Sequence, residues 1–374
     1  MASKPKLRIG LIGTGFMGRA HVYGYAIAQK VFDLPYRIEL HTVADATQAA
    51  AERAAADFGF GHATADWRAL AADPDIDLVD IAAPNAMHKP MALAAIVAGK
   101  HVYCEKPLAP CAADAREMMQ AAQARGVSTQ VGFGYLCNPM LHLARQMIAG
   151  GELGAIRGYR GLHAEDYMAD AAEALSFRHD PAGGGALADI GSHALATAEF
   201  LLGPVEAVMG DCVTVVAERP DGMGGTGRVE VDDVGRAFLR FAGGAQGSVE
   251  GNWIATGRKM QHDFEVYGET GALVYTQERL NELHFYSTRD AAGRRGFRKI
   301  EAAWEHPPYG CFCPAPGHQL GFNELKAIEI HGFLRAIAGL APEPFGFAAG
   351  LRIQTLVDAI RQSSRTQRWV RVPR

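Results

Sequence analysis

With 374 residues, the chain exceeds the length at which one hydrophobic core usually stops growing, so two domains are expected. Hydrophobic residues make up 48% and charged residues 21%, and the net charge of −4 gives no basic footprint for nucleic acid. The first apolar stretch, Leu7 to Ile12, is too short for a signal-peptide core or a membrane span, and no window holds about 18 uninterrupted apolar residues, so no membrane association is expected.

The six cysteines (104, 111, 137, 212, 311 and 313) form no C-x-x-C pair, and Cys311-Phe312-Cys313 lacks the second pair that would complete a zinc site. No metal is therefore expected. Reduced thiols in a soluble, cytoplasmic protein are expected instead.

From residue 7 to about 125 one unit repeats: a short apolar run, a turn containing glycine, and an alanine-rich helical stretch. The runs are Leu7–Ile12, Leu40–Ala44, Leu78–Ala82, His101–Cys104 and Ser128–Gly132, with candidate helices at 17–30, 47–57, 88–98 and 111–125 and a loop at 33–39. Strands buried on both faces read as continuous apolar runs, and alternation with helices implies parallel pairing through crossovers. The spacing predicts a doubly wound Rossmann sheet over residues 1–128.

Beyond about residue 155 the pattern changes to a helix at 186–202 followed by strand-like segments 205–216, 234–241, 245–253, 263–267, 272–276 and 282–286. Hairpin-like links at 241–245 and 267–271 make the second domain, 129–374, an α+β fold with a large, mainly antiparallel sheet. A Pro/Cys/Gly-rich loop at 307–317 precedes helical stretches at 323–338 and 350–363, which could pack back on the first domain.

Gly13-Thr14-Gly15-Phe16-Met17-Gly18 fits G-x-G-x-x-G directly after a strand and before a helix, the context a dinucleotide site requires. Gly13 serves the tight turn, Gly15 leaves room for a pyrophosphate and Gly18 lets the helix approach the strand. Asp45 follows the second strand. A carboxylate there accepts adenine-ribose hydroxyls and repels a 2′-phosphate, which favours NAD over NADP.

Cys104-Glu105-Lys106-Pro107 ends a buried strand at the carboxyl edge of the sheet, where such folds bind ligands. A lysine there can donate to a substrate oxygen and stabilise alkoxide character. Asp189 and His193, four residues apart, share a face if the segment is a regular helix, and carboxylate beside imidazole suits proton handling.

Together GTGFMG (13–18), AAPNAMH (82–88), GKHVYCEKP (99–107) and GGGALADIGSH (183–193) resemble the glucose–fructose oxidoreductase/inositol dehydrogenase/rhizopine catabolism family, Gfo/Idh/MocA. The resemblance implies His193 as general base, Asp189 as substrate-binding and orienting group, and Lys106 as electrostatic partner. The choice of proton acceptor between Lys106 and His193 stays open at this level. It also implies that Pro84, Asn85 and His88 line the nicotinamide ribose, that Glu105 and Lys106 border the cofactor, and that Tyr135 opens the substrate domain.

Many members carry a second aspartate three residues after the histidine. Ala196 stands there, and Cys137 replaces a frequent basic residue, so direct transfer of specificity is disfavoured, as is an anionic substrate. Segments 165–170, 277–283 and 312–324 look like those of scyllo-inositol and L-glucose dehydrogenases, with Tyr167 and His318 as substrate contacts.

The expected activity is NAD-dependent oxidation of a secondary ring hydroxyl on an inositol, L-glucose or related pyranose or anhydrosugar, by a homodimer or homotetramer. The alternatives are an NAD-dependent glycoside hydrolase, an NADP-linked keto-sugar reductase, and a non-catalytic sensor.

Overall fold

The apolar runs of the first 131 residues pair side by side as six parallel strands: β1 (Lys6–Ile12), β2 (Arg37–Ala44), β3 (His62–Thr64), β4 (Leu78–Ile81), β5 (His101–Cys104) and β6 (Thr129–Val131). In this computed structural model, which describes residues 4–373, their order is β3-β2-β1-β4-β5-β6. The order reverses between β1 and β4, so a crevice opens beyond Ile12 and Ile81.

The crossovers run through α1 (Phe16–Val31), α2 (Gln48–Phe58), α3 (Trp67–Ala72), α4 (Asn85–Val97) and α5 (Ala112–Arg125). Local chemistry sets their ends. Thr47 Oγ1 accepts the Ala50 N–H at 3.2 Å to start α2, and Gly59 and Gly126, at φ +80° and +68°, end α2 and α5 in the left-handed region.

The loop expected at 33–39 is shorter, because Arg37, Ile38 and Glu39 pair with Lys6, Leu7 and Arg8 and β2 starts there. The three-residue β3 had no signal of its own.

Two compact units emerge: Met1–Cys137 with Gly321–Arg352, and Asn138–Leu320 with Ile353–Arg374. The first includes β6, which lies beyond the boundary placed at residue 128 from sequence. It also includes the whole of a returning helix, α9 (Phe322–Ile337).

In the second unit α6 (Pro139–Ala149) leads to β7 (Ile156–Ala164), and α7 (Ser192–Leu202) to β8 (Val205–Val213). A small hairpin of β9 (Glu218–Pro220) and β10 (Thr226–Arg228) precedes β11 (Val234–Phe241), β12 (Gln246–Asn252), β13 (Gln261–Gly268), β14 (Gly271–Thr276), β15 (Glu282–Ser287) and β16 (Arg298–Glu301). The one-turn α8 (Tyr309–Phe312) lies inside the expected loop, and α10 (Phe347–Thr366) precedes β17 (Val370–Arg371).

The sheet order is β16-β15-β14-β13-β7-β12-β11-β8-β17, and β7–β12 is parallel among otherwise antiparallel pairs. Its central strand, β7, escaped detection. Two glycines and two arginines in IRGYRGLHA break the alternation that marks a half-buried strand.

The strand expected at 205–216 stops at Val213. The buried Asp233 carboxylate accepts the Val215 and Val216 N–H groups at 2.7 and 2.8 Å and turns the chain aside. Its other oxygen accepts the Trp253 indole N–H at 2.7 Å. Asp233→Ala would leave the buried Trp253 indole N–H and two part-buried backbone N–H groups without their acceptor and the buried Arg219 guanidinium without the carboxylate 3.9 Å away, and a loss of about 3–5 kcal/mol is expected. Urea unfolding followed by tryptophan fluorescence measures it; a midpoint near that of the wild type would contradict this account.

Candidate active site

The glycine-rich turn has the shape that its sequence implies. Gly13 has φ +95°, and a Cβ there would lie 2.5 Å from the Ala82 carbonyl oxygen. At Gly18 a Cβ would lie 2.0 Å from the Gly13 oxygen, so α1 sits hard against the turn. A Cβ on Gly15, by contrast, would meet nothing within 4 Å. That open space faces a 16-residue helix with no side-chain cap and no acid in its first turn, which is how an anion cradle is built.

Asp45 stands beside the turn. One oxygen accepts the Thr14 N–H at 3.0 Å and the Thr14 hydroxyl, and the other accepts the Ala46 N–H at 2.6 Å. The residues present therefore fit a dinucleotide: donors for the phosphates and a carboxylate at the end of β2 for the ribose. Phe16, exposed at the start of α1, stacks on Phe322, which Tyr135 also approaches at 6.2 Å.

Pro84 caps α4, and Asn85 is its buried first residue. The imidazole of His88 is fully buried, with Nδ1 2.8 Å from the Pro107 oxygen and Nε2 2.9 Å from the Ala83 oxygen. Burial holds its pKa below the ordinary value. This histidine links the loops after β4 and β5 through its two ring nitrogens. Lys106, half-buried, follows β5, and Glu105 is buried among charged partners.

In the second unit Asp189 and His193 are both buried, but the helix expected over 186–202 is not regular. Leu187–Gly191 forms one π-turn, and α7 begins at Ser192. Such widened turns often mark functional positions. Here the turn lies on β12 so closely that a Cβ at Gly251 would be 2.7 Å from the Gly191 Cα.

Asp189 Oδ2 accepts the Tyr167 hydroxyl at 2.8 Å and the Arg178 Nε–H at 3.0 Å. Burial, with the Asp189 carboxylate beside it, raises the Tyr167 pKa well above its ordinary value, so the phenol stays a donor. The imidazole of His193 has two others near it: His163 of β7 at 5.6 Å and His262 of β13 at 6.2 Å, themselves stacked at 4.9 Å. His163 Nε2 meets Glu165 Oε1 at 2.8 Å, and burial followed by the charge of His163 pushes the His262 pKa well down.

The structure thus joins Tyr167 to Asp189. His318 lies exposed in the loop after α8, where its backbone oxygen accepts the Tyr309 hydroxyl at 2.6 Å. Sequence reasoning missed Arg178, His163, His262 and Glu165. The signal for Arg178 was Ser176, which caps the short turn carrying it. Among the described residues no group of three or more His, Cys, Asp or Glu is arranged to hold a metal, and no helix is long and apolar enough to cross a membrane.

A glycine turn of this shape, a carboxylate after β2 and a lysine after β5 define an oxidoreductase with a bound nicotinamide dinucleotide. Comparison with known proteins agrees. Residues 7–133 match the oxidoreductase family with an NAD-binding Rossmann fold, and residues 141–274 match the GFO/IDH/MocA C-terminal domain. Levoglucosan dehydrogenase of Pseudarthrobacter phenanthrenivorans is 39% identical over 98% of this chain and 98% of its own. 1,5-Anhydro-D-fructose reductase of Ensifer adhaerens is 34% identical over 71% of this chain and 75% of its own.

Among solved structures, levoglucosan dehydrogenase in complex with NADH and L-sorbose superposes with a TM-score of 0.96 at 39% identity, covering 99% of this chain and 100% of that one. The complex with NADH and levoglucosan gives 0.95 at 40% identity, covering 98% of this chain and 99% of that one. The chain belongs to the Gfo/Idh/MocA family, and its cofactor is NAD.

The glycines differ in what they tolerate. Gly15→Val fills only the cradle, so its melting temperature should stay near the wild-type value while NAD affinity falls by more than about tenfold, because the phosphates lose their close approach to the backbone. Gly18→Ala meets backbone and should lower the melting temperature as well. Thermal scans paired with NADH fluorescence titration separate the two; equal NAD binding by Gly15→Val and wild type would show that the cradle is misplaced.

Proposed function

We propose that the protein oxidises a secondary ring hydroxyl of a cyclic sugar or polyol to the ketone, with an anhydrosugar of the levoglucosan type as first candidate. Similarity over almost the whole chain to levoglucosan dehydrogenase supports this reading. So does the Tyr167–Asp189–Arg178 cluster, which offers an acceptor and fixed donors to a ring of uncharged hydroxyls.

In this reading Lys106 and His193 serve the reacting hydroxyl, and Asp189 orients the ring that carries it. NAD, when bound, accepts the hydride that leaves carbon. Lys106 donates to the substrate oxygen and favours its alkoxide character. His193 accepts the hydroxyl proton at a ring nitrogen. Asp189, held by Tyr167 and Arg178, fixes a neighbouring hydroxyl so that the ring cannot rotate away. Pro84, Asn85 and Glu105 shape the nicotinamide side, with His88 behind them, while Tyr135 and His318 extend the sugar contacts.

A homodimer or homotetramer in the cytoplasm completes the proposal. Phe238, 64% exposed on β11, supports a covered sheet face, and the six free cysteines suit a reducing compartment.

The reverse reaction, NADP-linked reduction of a keto-sugar, is the second reading, favoured by the similarity to 1,5-anhydro-D-fructose reductase. Asp45 weighs against it, since its carboxylate would face a 2′-phosphate. Purified protein is assayed with NAD and NADP against levoglucosan, inositols and glucose enantiomers at the reduced-cofactor absorbance band. NADH formation with levoglucosan or a related ring is expected. Glycosidic cleavage without net NADH, or reduction by NADPH alone, would overturn the proposal. His193→Ala should lower kcat by roughly 10²–10⁴-fold with little change in NAD affinity; turnover close to wild type would remove His193 from its role.

A further inference from the structure

The first unit buries five ionisable side chains against one another: His21 from α1, Asp80 from β4, Glu105 after β5, and Lys326 and Glu329 from α9. His21 Nδ1 lies 2.8 and 2.9 Å from the two Asp80 oxygens, and its Nε2 is 2.9 Å from Glu105 Oε1. Lys326 Nζ reaches the same Glu105 oxygen at 3.2 Å and Glu329 Oε2 at 2.7 Å. Three neutral side chains complete the shell: Tyr25 donates to Asp80 at 2.9 Å, Tyr103 donates to Glu329, and Gln130 donates to Glu329 at 3.3 Å.

Glycines make room for the carboxylates. A Cβ at Gly132 would lie 2.4 Å from Glu105 Oε1, and one at Gly134 would lie 3.1 Å from Glu329 Oε2.

A buried ion cluster of this kind is expensive, and well-packed apolar side chains are often as stable or more so. Stability alone is thus a weak reason for it. Its charge count is more informative: three carboxylates face two cations. A further cation acts on the cluster: Lys106, whose backbone N–H donates to Glu105 Oε2 at 3.1 Å and whose charge stabilises the Glu105 carboxylate.

We propose that His21 and Lys326 are positioning residues for Lys106: as buried cations they pin the Glu105 carboxylate that grips the Lys106 backbone, and they leave one uncompensated negative charge that holds the Lys106 ammonium at the active site. The proposal rests on the reading that Lys106 acts on the substrate oxygen.

The groups facing His21 are Asp80 from β4, Glu105 and the stacked Tyr103 ring from β5, Tyr25 from its own helix, and Lys326 and Glu329 from α9. Burial and the Lys326 charge push its pKa down, Asp80 and Glu105 push it up, and the carboxylates prevail, raising it from 6.5 to about 9. A raised value means that the stabilisation is fully present below 6.5 and is lost as pH rises through about 9. Deprotonation there removes one of the two cations that pin Glu105, and with it part of the grip on the Lys106 backbone.

Three measurements on the full-length protein test this. In wild type, kcat should decline as pH rises through about 9. In His21→Gln, kcat should be lower by about 10- to 100-fold, with KM for NAD little changed and that alkaline limb absent. Imidazole 15N NMR should find His21 doubly protonated at about pH 8, where an ordinary histidine is neutral.

A neutral His21 at that pH, or a variant that keeps wild-type kcat and pH profile, overturns the proposal. Should His21→Gln not fold, Lys326→Met and the wild-type pH profile carry the same test, and an unchanged kcat or a profile flat through about 9 refutes it. The NMR measurement needs no substrate, so a protein that oxidises no sugar would sink the proposed function while leaving the protonation of His21 to be judged separately.

Discussion

Much of the first unit depends on how closely α1 lies on the turn that precedes it. At Gly18 the separation admits no side chain at all, and at Gly13 the backbone needs both a positive φ and the space beside Ala82. Once α1 is set down at that distance, its N-terminus faces the open space beside Gly15, the form of an anion cradle. One turn further along, His21 falls between Asp80 and Glu105. The next turn presents Gly24, where a Cβ would lie 2.8 Å from Ile330 and 2.9 Å from Lys326, so α9 can come close enough to add its own charges. A single steric constraint in the fingerprint thereby fixes the cofactor cradle on one side of α1 and the buried ion cluster on the other.

The two units divide the chemistry by environment. In the first, charges are buried in quantity and compensate each other, which gives a rigid support with a definite net charge behind Lys106. In the second, the polar groups around Asp189 and His193 come from a π-turn, a short capped turn and two neighbouring strands. The close approach of Gly191 to Gly251 ties that turn to the sheet, so Asp189 is carried by a rigid element although its local helix geometry is irregular. His163 and His262 are register partners on β7 and β13, which explains why two imidazoles stack beside a third.

The parallel sheet was legible because each of its longer strands is a buried apolar run bounded by glycine or a helix cap. The fingerprint, Asp45 and the EKP segment were legible for the same local reason. Features created by strand pairing were not. β7 carries Arg157, Gly158, Arg160 and Gly161, and its identity as the central strand comes from its neighbours β12 and β13. The π-turn was hidden because GGGALADIGSH has no residue that forbids a regular helix; the widened turn ends at Gly191, which lies close against Gly251. Lys326 and Glu329 read as an ordinary i,i+3 pair on an amphipathic helix, and only the return of residues 321–352 to the first unit turns them into buried charges. For His88 the chain position was legible, but the contacts of its ring with the Pro107 and Ala83 oxygens were not.

Asp45 shows why cofactor choice in this chain is not an isolated property. An ionised carboxylate has about four acceptor sites. Here the Thr14 N–H, the Thr14 hydroxyl and the Ala46 N–H already occupy three of them. The acceptor that would meet a ribose hydroxyl is therefore the same group that fastens residue 14 of the glycine turn to the end of β2. Replacing it by a neutral or basic side chain to admit a 2′-phosphate would also release Thr14, and with it the turn whose shape depends on Gly13 and Gly18. A change of cofactor would have to supply a second anchor for Thr14, so preference for NAD is built into the support of the fingerprint as well as into the contact with the ligand.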